Sequence, residues 1–146
     1  MITTKKKNLL KIHDQYRARV NSCLDSYLSS IPSSSNSDIQ LSAIMKYSVL
    51  AGGKRFRPIL TYTVSCLYDP KIQKADSSAC AIELIHIYSL IHDDLPAMDD
   101  DDIRHNQPAN HKVFGEAQAI LAGDGLQALA FRIISSDPLV DNDIKI

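Results

Sequence analysis

Residues 77–92 are apolar at Ala79, Cys80, Ile82, Leu84, Ile85, Ile87, Tyr88, Leu90 and Ile91. A helix that is apolar on nearly every face cannot lie on a surface, so other helices must enclose it. The segment therefore calls for an all-α fold with this helix at its centre. Three polar side chains interrupt it: Glu83, His86 and His92. A histidine on such a helix is commonly a satisfied core residue. The functional alternative is that His86 faces the same cavity as the acidic run two turns further on.

That run follows at once, as Asp93-Asp94-Leu95-Pro96-Ala97-Met98-Asp99-Asp100-Asp101-Asp102-Ile103-Arg104. Six of the chain's fifteen aspartates fall within ten residues. Carboxylates this close repel and favour protonation unless a cation joins them. Hard cations such as Mg²⁺ and Ca²⁺ take oxygen ligands of this kind. Pro96 has no N–H for the carbonyl of His92 and disfavours the α conformation at Leu95. The helix should loosen just after Asp93-Asp94, letting Asp99 swing back toward Asp93. A solvated acidic loop is the competing reading of the run alone.

The remaining helices follow from periodicity. Leu9, Ile12, Tyr16, Val20, Leu24, Tyr27 and Leu28 predict an amphipathic helix over about 8–30. A serine-rich connector, 29–37, leads to a capping box at Ser37 and Gln40. The helix it opens should bury Leu41, Ile44, Met45, Ser48 and Val49 and stop at Gly52-Gly53. Pro58 to Tyr68 should turn Ile59, Leu60, Val64 and Leu67 inward. A last helix from about Phe114 to Ile134 should bury Ala117, Ile120, Leu121, Leu126, Leu129, Ala130 and Ile133. Gly123 and Gly125, costly inside a helix, suit a close approach by another helix near Asp124. No strand-type alternation is visible.

At 146 residues the chain suits one domain, with 1–36 as an N-terminal helix and loop and 37–146 as the helices that carry the chemistry. A net charge of -1 speaks against a nucleic-acid partner. No apolar run approaches a membrane span. Lys5-Lys6-Lys7 lacks the apolar stretch of a signal peptide, and Cys23, Cys66 and Cys80 show no paired spacing. A cytoplasmic protein is the expectation.

Between the second and third helices lies Gly52-Gly53-Lys54-Arg55-Phe56-Arg57-Pro58. Glycines, three cations and a helix start suit phosphate or diphosphate, although a plain basic junction would look similar. A cation-collecting run and an anion-collecting turn, both at the ends of apolar helices, suit an apolar substrate with a phosphate head. Mg²⁺ commonly binds through a few carboxylates plus substrate phosphates.

The basic turn, the stretch from His86 to Arg104, and His111-Lys-Val-Phe-Gly-Glu…Ile-Leu-Ala-Gly-Asp124 together resemble the polyprenyl diphosphate synthases, the bacterial farnesyl diphosphate synthases above all. The likeness is continuous from about residue 40 to 134. It implies an isoprenoid-synthase helical bundle. It also implies Mg²⁺-dependent condensation of isopentenyl diphosphate with an allylic diphosphate, and it allows a homodimer. By that resemblance Asp93 and Asp99 hold Mg²⁺ with Asp94 beside them, and Arg104 holds the allylic diphosphate. Lys54, Arg57 and His86 hold isopentenyl diphosphate, and Tyr88 limits product length, favouring C15. His105 stands where the family has a second arginine of the isopentenyl diphosphate site. A mostly neutral imidazole lacks the guanidinium fork, so affinity should suffer.

The family's second Asp-rich motif has no counterpart in this sequence. The chain is therefore expected to resemble the N-terminal half of a synthase, with apolar faces exposed and no activity by itself. The alternative is a non-catalytic diphosphate-binding remnant or a partner subunit of a complete synthase. An acidic helical protein with no isoprenoid role would leave the Lys/Arg turn and Tyr88 unexplained.

Overall fold

The computed structural model describes residues 2–32, 41–141 and 143. Six α-helices lie among them: α1 (Ile2–Ser29), α2 (Leu41–Val49), α3 (Phe56–Tyr68), α4 (Asp76–Asp93), α5 (Asn110–Phe114) and α6 (Glu116–Ser135). The expected capping box at Ser37 and Gln40 lies outside the described residues. The all-α expectation holds, and α4 is the central element. It packs most extensively on α6, then on α3, and also touches α1 and α2. Ala79, Cys80, Ala81, Leu84, Ile87 and Ile91 are its buried apolar side chains.

A polar knot fixes how α1 and α3 are rotated against α4. Asp76, in the first turn of α4, accepts two hydrogen bonds from the Arg19 guanidinium, at 2.7 and 2.6 Å, and one from the Tyr62 hydroxyl at 2.8 Å. The Tyr62 ring packs against Tyr16 with centroids 5.4 Å apart. Burial, then the bond to Asp76, push the Tyr62 phenol well above its ordinary value, so it remains a donor. This knot overturns the expected inner face of α3. Pro58 and Tyr62 are buried, whereas Leu60, Val64 and Leu67 form an exposed stripe with Phe56. In α1, Val20, Leu24 and Leu28 are buried as expected, but Leu9 and Ile12 are exposed. A helix of 28 residues is about 42 Å long, and its first turns outreach the elements beneath it. In α2, Ile44, Met45 and Val49 are buried while Leu41 is exposed and Ser48 is half-buried.

The last long helix is broken in two. Gly115, with φ 88°, separates α5 from α6, so α6 begins two residues later than expected. Its inward stripe is Ala119, Ala122, Gly123, Leu126, Leu129, Ala130 and Ile133. Ala117, Ile120 and Leu121 point out, contrary to expectation. Small residues win the inner face because α4 lies so near. A Cβ on Gly123 would collide with the His92 ring, and one on Gly125 would touch Met45 of α2 at 3.4 Å. The close approach expected around Asp124 is there. Ile82, Ile85, Phe131 and Ile134 line an open apolar groove of about 220 Å³ between α4 and α6.

One expectation fails outright, the absence of strands. Ile103–Arg104 (β1) and Gln107–Pro108 (β2) pair antiparallel, Arg104 opposite Gln107. His105 and Asn106 form the two-residue turn with φ 51° and 63°, the left-handed pair that suits a tight hairpin. Tyr47 clamps the hairpin to α2: its hydroxyl donates to the Pro108 carbonyl at 2.9 Å, and its carbonyl accepts from Gln107 at 3.2 Å.

Candidate functional site

The basic turn leaves α2 through Gly52 and Gly53, both at positive φ (105° and 119°), a course that side-chain-bearing residues resist. Arg55 is also left-handed, at φ 52°, and its side chain turns inward. It is 3% exposed and donates to Glu83 at 2.8 Å, to Asn21 at 2.9 Å and to the Val49 carbonyl. Arg55 thus anchors the turn on α1, α2 and α4, while Lys54 and Arg57 on either side stay exposed.

Those two cations enter a cleft of about 560 Å³. His86 from α4 and His105 from the hairpin line it as well, so the four expected isopentenyl diphosphate residues share one cavity. Arg17 of α1 adds a further cation to the lining and His13 an imidazole, neither of which the sequence suggested. Burial, then the charge of Arg57, hold the His86 imidazole below its ordinary value; His105 and Arg55 act the same way, and Glu83 opposes them. None of the aspartates 93–102 lines this cleft. His86 therefore faces the cations, not the acidic run as expected, because its place on α4 opens onto the same cleft as the basic turn and the hairpin residue His105.

The acidic run is organised as its proline suggests. Helix α4 ends at Asp93, and the Asp99 amide donates to the Asp93 carbonyl at 2.8 Å, folding the loop back on the helix end. Asp93 is half-buried and Asp99 exposed. Asp94 is different: it is 2% exposed, and Arg104 covers it. The guanidinium donates through Nε at 3.0 Å and through Nη2 to the same carboxylate, with Nη2 also on Asp101 at 2.8 Å. Among the described residues Nη1 makes no hydrogen bond, so one edge of the fork stays available. Arg104 and His105 are adjacent on the hairpin, and this short element joins the acidic loop to the cationic cleft.

Tyr88 lies on α4 with its ring edge against His92, centroids 4.9 Å apart. His92 donates through Nε2–H to the Ile120 carbonyl, 3.1 Å away, over Gly123. Tyr88 therefore faces the α6 side of the central helix. Two pairings escaped the sequence reading: Arg55 with Glu83, and Asp94 with Arg104. Glu83 carried the signal for the first, because a carboxylate inside an apolar helix needs a partner. His111 also escaped. It is buried, and Asp100, Asp102 and His111 are the one group of three with ligand atoms all within 4.8 Å among the described residues.

A family profile described as polyprenyl synthetase matches residues 38–145. The farnesyl diphosphate synthase of Haemophilus influenzae is 46% identical over 132 residues, covering 90% of this chain and 44% of that protein. That of Geobacillus stearothermophilus is 59% identical over 98 residues, covering 66% of this chain and 32% of the relative. Among solved structures, an FPP/GFPP synthase from Zymomonas mobilis aligns with a TM-score of 0.86 at 38% identity, over 94% of this chain and 49% of that one. The geranyltransferase from Legionella pneumophila also gives 0.86, at 42% identity over 96% and 48%. The chain spans about half, or less, of the length of the relatives it matches. The profile covers most of the chain, and the chain belongs to the polyprenyl synthetase family.

Proposed function

We propose that this chain supplies the diphosphate-binding elements of a farnesyl-diphosphate-synthase-type prenyltransferase. The observation that carries the reading is the gathering of Lys54, Arg57, His86 and His105 in one cleft, with the Asp94–Arg104 clamp on the same hairpin. Lys54 and Arg57 hold the diphosphate of isopentenyl diphosphate, and His86 orients it by hydrogen bonding. Arg104, held flat by Asp94, offers its free edge to the allylic diphosphate. The apolar face of α4 keeps water from the reacting carbons, and Tyr88 sets the depth available to the growing chain. Asp93 and Asp99 fit Mg²⁺, because two hard carboxylates on a loop that closes on itself leave room for phosphate oxygens. When bound there, the ion supplies charge neutralisation for the departing diphosphate.

A second reading is a binding remnant or partner subunit without catalysis of its own. The exposed stripe Phe56, Leu60, Val64 and Leu67 and the open α4–α6 groove favour it for the 146 residues alone. Calorimetric titration with isopentenyl diphosphate tests the shared core of both readings. Arg57→Ala should weaken binding at least about tenfold, or 1.4 kcal/mol, and unchanged affinity would remove the cleft from consideration. An assay with geranyl and isopentenyl diphosphates separates the two. The chain by itself should form no product, and product that disappears in Asp93→Ala would establish catalysis.

The depressed imidazole of His86 gives a pH signature. Burial holds the imidazole down most and the charge of Arg57 adds to it; a diphosphate placed against Arg57 cancels that second contribution, so His86 binds protons more tightly in the complex than in the free chain. Its contribution to affinity is absent above the raised value in the complex. It grows as pH falls through that value and levels off below the free value, which lies under about 6.5. Calorimetry in buffers of different ionisation enthalpy should show proton uptake that His86→Gln reduces. Equal uptake by both proteins would mean that the ligand alone titrates.

A further inference from the structure

We infer that Asp100, Asp102 and His111 form a second cation site, separate from Asp93 and Asp99, that takes a borderline divalent metal such as Zn²⁺ or Co²⁺. His111, on the first turn of α5, is 6% exposed, and among the described residues neither Nδ1 nor Nε2 has a hydrogen-bond partner. A neutral imidazole carries one N–H and one lone pair, and burying both unmatched is unfavourable without something to bind. One ring nitrogen and one oxygen from each of Asp100 and Asp102 lie within 4.8 Å of one another. An ion at ordinary ligand distances of about 2.0–2.2 Å would draw these three atoms together by a modest movement of two exposed carboxylates.

The donor set selects the metal. Imidazole nitrogen with carboxylate oxygen suits Zn²⁺ and its neighbours, whereas Mg²⁺ prefers oxygen alone. Lys112 competes for Asp102, with its ammonium 2.7 Å from Oδ1, but the ion needs only one oxygen of that carboxylate. The Asp102 carbonyl is already fixed by the Ala109 amide at 2.8 Å, which holds the loop against the start of α5. A bound ion would clip the loop that carries Asp99 to the buried helix end. Three protein ligands leave a fourth position for water.

The test is titration of the full 146-residue chain, first stripped with a chelator, by Zn²⁺ in calorimetry and by Co²⁺ in visible absorption. One site should saturate. Asp100→Asn and His111→Asn should each weaken Zn²⁺ at least tenfold, and the Co²⁺ spectrum of each should lose intensity. The double variant Asp93→Asn/Asp99→Asn should stay within about twofold of the unchanged chain. Asp100 is exposed, so its variant reports on the site even if His111→Asn fails to fold. Absence of binding in the unchanged chain, full affinity in Asp100→Asn, full affinity in a folded His111→Asn, or loss in the Asp93/Asp99 double variant would each overturn the site. The last outcome would assign the metal to the proposed Mg²⁺ loop, and diphosphate binding by the cleft is scored separately by Arg57→Ala.

Discussion

Glu83→Ala lowers the unfolding free energy by about 3–5 kcal/mol, the range for removing one member of a buried ion pair. The side chains of Arg55 and Glu83 are almost entirely enclosed, and among the described residues the carboxylate is the only acidic group paired with the guanidinium. Its loss leaves Arg55 with two neutral acceptors, Asn21 and the Val49 carbonyl. Urea unfolding at neutral pH measures the effect. Glu83→Gln, which keeps an acceptor, should cost clearly less than the alanine variant. The double replacement Arg55→Met/Glu83→Leu should recover most of the loss, because it removes both charges and restores apolar volume. If all three variants unfold at the same urea concentration as the unchanged chain, the pair is not what anchors the basic turn.

Arg104→Ala costs about 3 kcal/mol, because it strands the Asp94 carboxylate inside the protein. The value sits at the low end of that range since the Arg104 side chain is 33% exposed. In an Asp94→Asn background the same change should cost less than about 1 kcal/mol, as for an exposed pair. This cycle also separates the two tasks assigned to Arg104. Whatever allylic diphosphate affinity Arg104→Ala loses in the Asp94→Asn background belongs to direct contact. If none is lost there, Arg104 is a structural clamp alone. Equal stability losses in both backgrounds would show that Asp94 does not depend on Arg104.

The site was legible wherever composition forces chemistry. Three cations after two glycines marked the basic turn, and Pro96 inside the run of six aspartates marked where the chain leaves the helix and folds back. The grouping of Lys54, Arg57, His86 and His105 was legible only through resemblance. Periodicity says nothing of how a hairpin brings residue 105 beside residue 86. The hairpin itself is too short for an alternation pattern and rests on two left-handed residues, neither of them glycine.

The sequence alone determined the helical class, the central place of α4, the end of that helix at Asp93 and the positions of both charged clusters. These depend on local propensity and on the near absence of a polar face. Only the tertiary structure decided which apolar stripe of α3 and α6 faces inward and which charges pair. On α3 the half-buried Asp76 carboxylate outweighed the larger stripe Leu60, Val64 and Leu67, because it took both the Tyr62 hydroxyl and Arg19. On α6 the smaller side chains went inside, because close packing on α4 and His92 leaves no room for a Cβ at Gly123. Arg55 and Arg104 turned to buried carboxylates, Glu83 and Asp94, since a charge out of water must have a partner. Lys54 and Arg57 stay exposed at the cleft.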